Sequence, residues 1–451
     1  MNAALEALTA RERQSFIAAR PQCVAFARAA GLHFPGGVPM HWMRDWPGPV
    51  PLYFQSARDA VVTDVDGHEY VDFCLGDTGA MFGHSPPAVA KAIASQAPLG
   101  LTTMLPDVRI AAVGEGLAAL FGLPWWQLTQ TATDANRAVL RLARMATGRR
   151  RVLVFDRCYH GTVDETMVIM GEGGATLPRP GQIGRIHDPM ATTVVVEFND
   201  GAAVEHALAR GDIAVVLAEP VMTNAGMVLP QPGFLDALRA ACTRHDVLLA
   251  IDETHTLSSG PGGYARQHGL AADFIVCGKA IAGGVPCGVY GYTDAVAARL
   301  RAADANRESG HSGIGTTLAA NPLAIAALAA SLAHLHTPAT YRLMEERAVQ
   351  LASGIEAALQ RHAVRWQVSR VGARLEFGPA PAPRTGRQSV ESIDHALEGA
   401  LHLHLLNRGF LLTPFHNMML ASPVTTASQV DAFLATFDTA LGEFAPLMRA
   451  A

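Results

Sequence analysis

The feature that most constrains this chain lies between about residues 125 and 300. Short apolar runs rich in Val, Ile and Leu alternate there with stretches of helical period. The runs are Arg151–Phe155, Thr192–Phe198, Ile213–Ala218, Val247–Ile251 and Asp273–Cys277, with helix-period segments such as Phe234–Arg244 between them. A strand apolar on both faces must be covered on both, and strands alternating with helices form parallel neighbours. The pattern predicts an α/β fold: a mostly parallel sheet covered by helices. Such sheets bind ligands beyond the carboxyl ends of their strands, so the residues just after each run are the first candidates for a site.

The flanking regions read differently. A helix is predicted from Leu5 to about Ala30, ended by Gly31. The Gly/Pro-rich stretch Pro35–Pro49 is a loop, yet it carries Trp42, Met43 and Trp46, large apolar side chains of the kind that line pockets. Ala60–Cys74 reads as a hairpin turning at Asp66-Gly67. Past residue 320 come helices Pro322–His336 and Thr340–His362. Strands at Arg365–Phe377 and Phe410–Ser422 then flank a helix at Ser389–Arg408, with Gly378–Gly386 a loop. The division expected is a large domain over 76–330 and a smaller α+β domain built from 1–75 and 331–451.

Composition excludes several classes. At 451 residues and 47.7 kDa the chain exceeds one ordinary domain. Hydrophobic residues at 49% against 17% charged exclude disorder and supply a large core. Net charge is −5 and the only basic cluster is Arg149–Arg151, which argues against a nucleic-acid surface. Mean hydropathy is +0.18, but no apolar run reaches membrane-spanning length uninterrupted. The nearest, Thr317–Leu335, contains Asn321, Pro322 and His334 and reads as a buried helix. The N-terminus has no apolar signal region, so a cytoplasmic protein is expected. Cys23, Cys74, Cys158, Cys242, Cys277 and Cys287 include no CxxC pair. They read as buried free thiols, neither a disulfide framework nor a metal site.

The strand ends are informative together. LLAI runs into Asp252-Glu253-Thr254-His255, and FIVC into Gly278-Lys279. VVLA runs into Glu219 and on to Asn224, and VLVF leads to Tyr159-His160-Gly161. One edge of the sheet thus collects an acid, an amine, an amide and an aromatic ring. Only two of the 35 basic residues are lysines, Lys91 and Lys279. Apolar surroundings favour the neutral amine of Lys279, which can then form a Schiff base with a carbonyl. Alone, Lys279 also reads as a snorkelling surface lysine, and Asp252 as a helix cap or salt-bridge partner. Together they fit a pyridoxal phosphate site, the amine for the aldehyde and the carboxylate for the ring nitrogen. The phosphate needs N–H groups at a helix N-terminus. Thr131–Asn136, opening a helix Asp134–Thr147 with Thr133 as cap, supplies one.

These residues carry a resemblance. Asp66-Gly67 with Tyr70–Asp72, Phe82–His84, Thr131–Asn136, Tyr159–Gly161, Glu219–Val221, Asp252–Thr254, Gly278-Lys279 with Gly283-Gly284, and Thr316–Leu318 with Asn321-Pro322 stand in order. Over roughly residues 30–440 the chain resembles the class III aminotransferases of pyridoxal-phosphate (PLP) fold type I. It is nearest the branch of glutamate-1-semialdehyde aminomutases and β-amino-acid transaminases. The resemblance implies a Schiff-base role for Lys279, which also shuttles the proton. It implies that Asp252 pairs with the pyridinium, Tyr159 stacks on the ring, and His160 and Glu219 lie beside the site. Ala132 and Thr133 hold the phosphate, and Asn224 sits near the ring hydroxyl. It also implies a homodimer in which Thr317 reaches the phosphate of the neighbouring subunit.

Two departures from the family pattern stand out. Thr131-Ala132-Thr133 replaces Ser-Gly-Thr, so the phosphate segment must adopt an ordinary backbone conformation at Ala132. Thr254 and His255 replace Val and then Gln or Met. His255 is read as bonding the ring hydroxyl or a substrate carboxyl, or as a histidine satisfied within the packing. For the substrate, the loop Leu412–Met418 has no Arg to hold a carboxylate. The candidates are Arg44, Arg374 and His416, and Trp42, Met43 and Phe415 favour an apolar group. The activity expected is an aminotransferase moving the amine of a primary-amine, ω- or β-amino substrate to a keto-acid acceptor. The alternatives are an aminomutase of the glutamate-1-semialdehyde type, a PLP-dependent lyase or decarboxylase, and a PLP-binding homologue without turnover.

Overall fold

The computed structural model describes residues 3–185, 188–305 and 307–448. The chain divides into two compact units, one of residues 87–341 and 383–391, the other of 1–86, 342–382 and 392–451.

The first unit is built on a seven-stranded sheet. Its strands in chain order are β1 (Trp125–Thr129), β2 (Arg151–Phe155), β3 (Thr193–Val196), β4 (Ile213–Ala218), β5 (Leu248–Asp252), β6 (Phe274–Cys277) and β7 (Gly288–Tyr292). They lie in the order β1-β7-β6-β5-β4-β2-β3, with only β7 antiparallel to its neighbours. Every residue of β4, β5 and β6 is buried, which is why these strands read as continuous apolar runs. On one face Val152, Val154, Val215 and Val276 pack with Ala135, Ala138, Val139 and Ala143 of helix α1 (Ala132–Thr147). The other face carries the ring cluster Phe155, Phe198 and Phe234, with centroids 4.9–5.8 Å apart. The parallel register brings the ends of β5 and β6 side by side, with Asp252 opposite Val276.

In the second unit, the hairpin of Val61–Asp64 and Glu69–Asp72 lies as predicted, and Gly67 takes φ +89° in its turn. Other predicted elements are divided. The single helix 5–30 is two, Ala3–Ala19 and Pro21–Ala30, because Pro21 has no N–H and is tolerated only in a first helical turn. The strand 365–377 is a hairpin, Trp366–Val371 and Arg374–Pro379, turning at Gly372. The strand 410–422 is two short strands in different sheets. Phe410–Leu411 pairs with Glu69–Asp72, and Met418–Leu420 pairs with Arg374–Pro379. The helix 389–408 is split into Gly386–Ser392, which up to Glu391 belongs to the first unit, and His395–Leu406, capped by Asp394. Leu351, Ile355, Phe377, Leu401, Phe433 and Phe437 belong to the core of this unit.

Pro322–His334 is a largely buried helix. Among the described residues no single helix is long and apolar enough to cross a membrane. All six cysteines are buried and free.

Candidate active site

The carboxyl ends of β1, β2, β4, β5 and β6 deliver the candidate residues of the first unit. Asp252 is the last residue of β5 and is 5% exposed. Its Oδ2 lies 2.9 Å from His160 Nδ1 and accepts a 2.9 Å bond from Asn136 Nδ2, while Oδ1 accepts from the Thr254 amide at 3.1 Å. Burial would raise this carboxyl. The bonds and charge of His160, with Thr254 and Asn136, outweigh burial and bring it down to about 2. Burial likewise opposes the imidazolium of His160, but neighbouring Cys158 and Asp252 push it up. The carboxylate is therefore ionised and fixed in place across the neutral range.

Helix α1 starts directly beside it. Thr131, in extended conformation, is the N-cap, its Oγ1 accepting from the Asp134 amide at 3.2 Å. The cap is thus Thr131, two residues before the one predicted. Thr133 lies in the first helical turn, where its Oγ1 accepts from the Thr162 amide at 3.3 Å. Ala132 opens the helix without a positive φ, so replacing the family's glycine costs no strain. Gly161, at φ +79°, lets its chain pass against Thr133, which a Cβ there would strike. A Cβ on Gly278 would fall 2.8 Å from the Cβ of Ala132, so the lysine segment is pressed against the start of α1. Because Gly278 has an ordinary φ of −137°, alanine there acts through crowding alone. Gly278→Ala is expected to weaken cofactor binding by about tenfold or more, since overpacking typically costs ~1–3 kcal/mol. An absorbance titration of cofactor-free protein measures this.

Lys279 follows β6 with φ +48°, a left-handed conformation that is uncommon for a long side chain. Its Nζ lies 2.7 Å from Nε2 of His255, which is 7% exposed. After β4, Glu219 accepts from the Tyr159 amide at 3.3 Å, and from the amide and hydroxyl of Thr223 at 3.1 and 2.7 Å. Burial raises its carboxyl. Tyr159 and Asn224 are half-buried, and Thr317 is exposed in the loop after Gly315.

The substrate candidates lie in the second unit. Trp42 is 43% and Phe415 40% exposed, while Met43 is half-buried. Arg44 is exposed and its Nε donates to the His41 carbonyl. Arg374 is buried, with its guanidinium on Thr78 Oγ1 and Met418 Sδ. His416 is buried, 2.9 Å from Glu376 Oε1, so its ring is committed to an internal carboxylate.

Asn136 was given no role by the sequence reading. It is fully buried in the first turns of α1 and spans His160 O and Asp252 Oδ2. A polar residue on the buried side of an amphipathic helix was the signal available.

The site fits pyridoxal phosphate on its own geometry. It combines a buried ionised carboxylate at one strand end, an amine at the next, and a capped helix N-terminus against the lysine segment. Among the described residues Asn136 Oδ1 is a buried polar atom without a hydrogen-bond partner. It leaves hydrogen-bonding capacity beside the carboxylate.

Comparison with known proteins agrees. Residues 43–441 match the family described as aminotransferase class-III. The chain is 35% identical over 396 residues to the glutamate-1-semialdehyde 2,1-aminomutase of Myxococcus xanthus, covering 86% of this chain and 90% of that one. Among solved structures it is similar to a glutamate-1-semialdehyde-aminomutase from Pseudomonas aeruginosa, with TM-score 0.95 and 48% identity over 98% of this chain and 99% of that one. A lysine-to-alanine variant of the Pseudomonas protein has been solved in complex with PMP. A β-phenylalanine aminotransferase from Variovorax paradoxus aligns with TM-score 0.85 and 26% identity over 97% of each chain.

Proposed function

This chain belongs to the class III aminotransferase family of PLP-dependent enzymes, and on that premise we propose that it is an aminomutase of the glutamate-1-semialdehyde type. It would move an amino group from carbon 2 to carbon 1 of one small amino aldehyde. The observation that carries this reading is the 48% identity to the Pseudomonas aminomutase across nearly the whole chain. The sequence alone put the weight on transfer to a separate keto acid. The relatives move that weight to transfer within one carbon skeleton.

Pyridoxal phosphate supplies an electron sink for the carbon that loses a proton. The protein's part follows from the geometry. Lys279 Nζ is the covalent anchor and, when free, takes a proton from the amine-bearing carbon and returns it elsewhere. Asp252 holds the proton of the ring nitrogen, and His160, Thr254 and Asn136 keep its carboxylate ionised and oriented. The first-turn amides at Ala132 and Thr133 meet the phosphate. Tyr159 stacks on the ring, its backbone held by Glu219. Asn224 is assigned to the ring hydroxyl on the family pattern. The active form is a cytoplasmic homodimer in which Thr317 completes the partner's phosphate site. Supporting it, Leu99, Leu101, Met104, Leu105 and Val108 are 49–96% exposed within ten residues, an apolar stretch suited to burial against a second copy.

A second reading, transfer from an apolar amine donor to a keto-acid acceptor, is favoured by exposed Trp42 and Phe415 and by the β-phenylalanine aminotransferase likeness. The deciding experiment supplies glutamate 1-semialdehyde with no keto acid and follows 5-amino-4-oxopentanoate by NMR. Its accumulation supports the aminomutase. An untouched semialdehyde, with turnover only when an amine donor and pyruvate or 2-oxoglutarate are both present, hands the assignment to the transaminase.

A further inference from the structure

We propose that His255 is a positioning residue for the Lys279 amine, acting through Nζ and not through the cofactor ring. This rests on reading Lys279 as the covalent anchor. The adjacent ends of β5 and β6 bring the two side chains together, and the Glu253 amide ties the segment to Val276 of β6 at 2.8 Å. Nε2 then lies 2.7 Å from Nζ. A neutral lysine amine can donate an N–H to Nε2 and keep its lone pair for the carbonyl, so the imidazole accepts there and keeps its proton on Nδ1. His255 is 7% exposed and rigidly packed, whereas lysine has a flexible four-carbon stem.

The backbone supports the same role. At φ +48°, Lys279 leaves β6 in a conformation that its surroundings must enforce. Gly278 against Ala132 fixes where the stem begins, and His255 fixes where it ends. Holding an amine where its target carbon will sit converts a search into a near-attack arrangement. The Gln or Met usual at this place in the family is longer and more flexible than the imidazole found here. Nothing about the ring or phosphate is needed for the contact, which exists between protein atoms alone.

The test separates action on the amine from action on the ring. Cofactor-free full-length protein is mixed with pyridoxal 5'-phosphate. Protein fluorescence follows non-covalent binding, and visible absorbance follows covalent capture. His255→Leu is expected to slow capture by about three- to tenfold, in line with loss of the one hydrogen bond that aims the amine. His255→Gln, which offers an acceptor oxygen at similar reach, should recover most of that rate and guards against a folding defect in the Leu variant. In the Lys279→Ala background, where the partner amine is gone, adding His255→Leu should leave the cofactor Kd within about twofold, as required of two residues acting as one unit. Unchanged capture in His255→Leu overturns the proposal. So does a clear loss of affinity in the Lys279→Ala background, which would assign His255 to the ring. If borohydride labels Lys91 instead of Lys279, the anchor reading itself has failed, an outcome distinct from either.

Discussion

Lys279→Ala protein is expected to be colourless and to lose turnover by at least ~10²–10⁴-fold, the usual worth of a positioned acid–base group, with loss of the covalent link added to that. Borohydride reduction of the wild-type holoenzyme should fix the cofactor to the peptide containing Lys279. Only Lys91, exposed on the helix Pro87–Gln96, could compete. The same variant tests the assembly. Mixed with Thr317→Ala protein and allowed to exchange subunits, it should form heterodimers in which one of the two sites has both residues intact. About a quarter of all sites then become wild type on random mixing. Activity of the mixture should exceed that of the Thr317→Ala protein in the same amount. No gain on mixing would mean that Thr317 serves its own subunit or that no dimer forms.

Much of this site was legible before any coordinates, for a physical reason. β4, β5 and β6 are buried along their whole length, so apart from Asp252 their residues are apolar and their ends are sharp. A polar residue at or just after the end of such a run is therefore conspicuous, as Asp252, Glu219 and Lys279 are. β1 and β7 carry a weaker signal. β1 is only part-buried, and β7 includes Gly291, against which the Trp126 ring packs. The true cap at Thr131 could not be told from Thr133, because both are N-cap residue types and only backbone dihedrals distinguish them. Asn136 was hidden because its partners lie 24 and 116 positions away. The substrate candidates were the least legible, since their fates depend on distant packing. Arg374 is held by Thr78, and His416 by Glu376.

Asp252→Asn should leave a folded protein that binds cofactor but turns over ~10²–10³-fold more slowly, the cost of removing one preorganised electrostatic contact. The substitution keeps the shape and removes the charge proposed to hold the proton of the ring nitrogen. It should also change acid stability in a predictable direction. The Asp252 carboxyl stands at about 2 in the folded protein, below its ordinary value of 3.8. A depressed carboxyl stabilises the fold fully above its unfolded value, and that stabilisation fades as pH falls from about 4 through about 2. The Asn variant lacks this term, so its Tm should fall less steeply than the wild type's over that interval while being lower at pH 7. His160 works in the opposite sense. Its raised folded value favours the fold at low pH, and the gain is lost as pH rises through the folded value near 10. With Asp252 gone the imidazolium keeps only Cys158 of its two favouring neighbours, so the alkaline fall in Tm should flatten in part as well. Asp252→Ala removes the hydrogen-bond acceptor too, leaving His160 and Asn136 without it, and should cost ~3–5 kcal/mol, as for one broken half of a buried pair. Tm profiles from pH 2 to 10 on the three proteins carry the test. If wild type and Asn variant run parallel at both ends, the His160–Asp252 contact is not an ion pair, and the claim that it keeps the carboxylate charged for the cofactor goes with it.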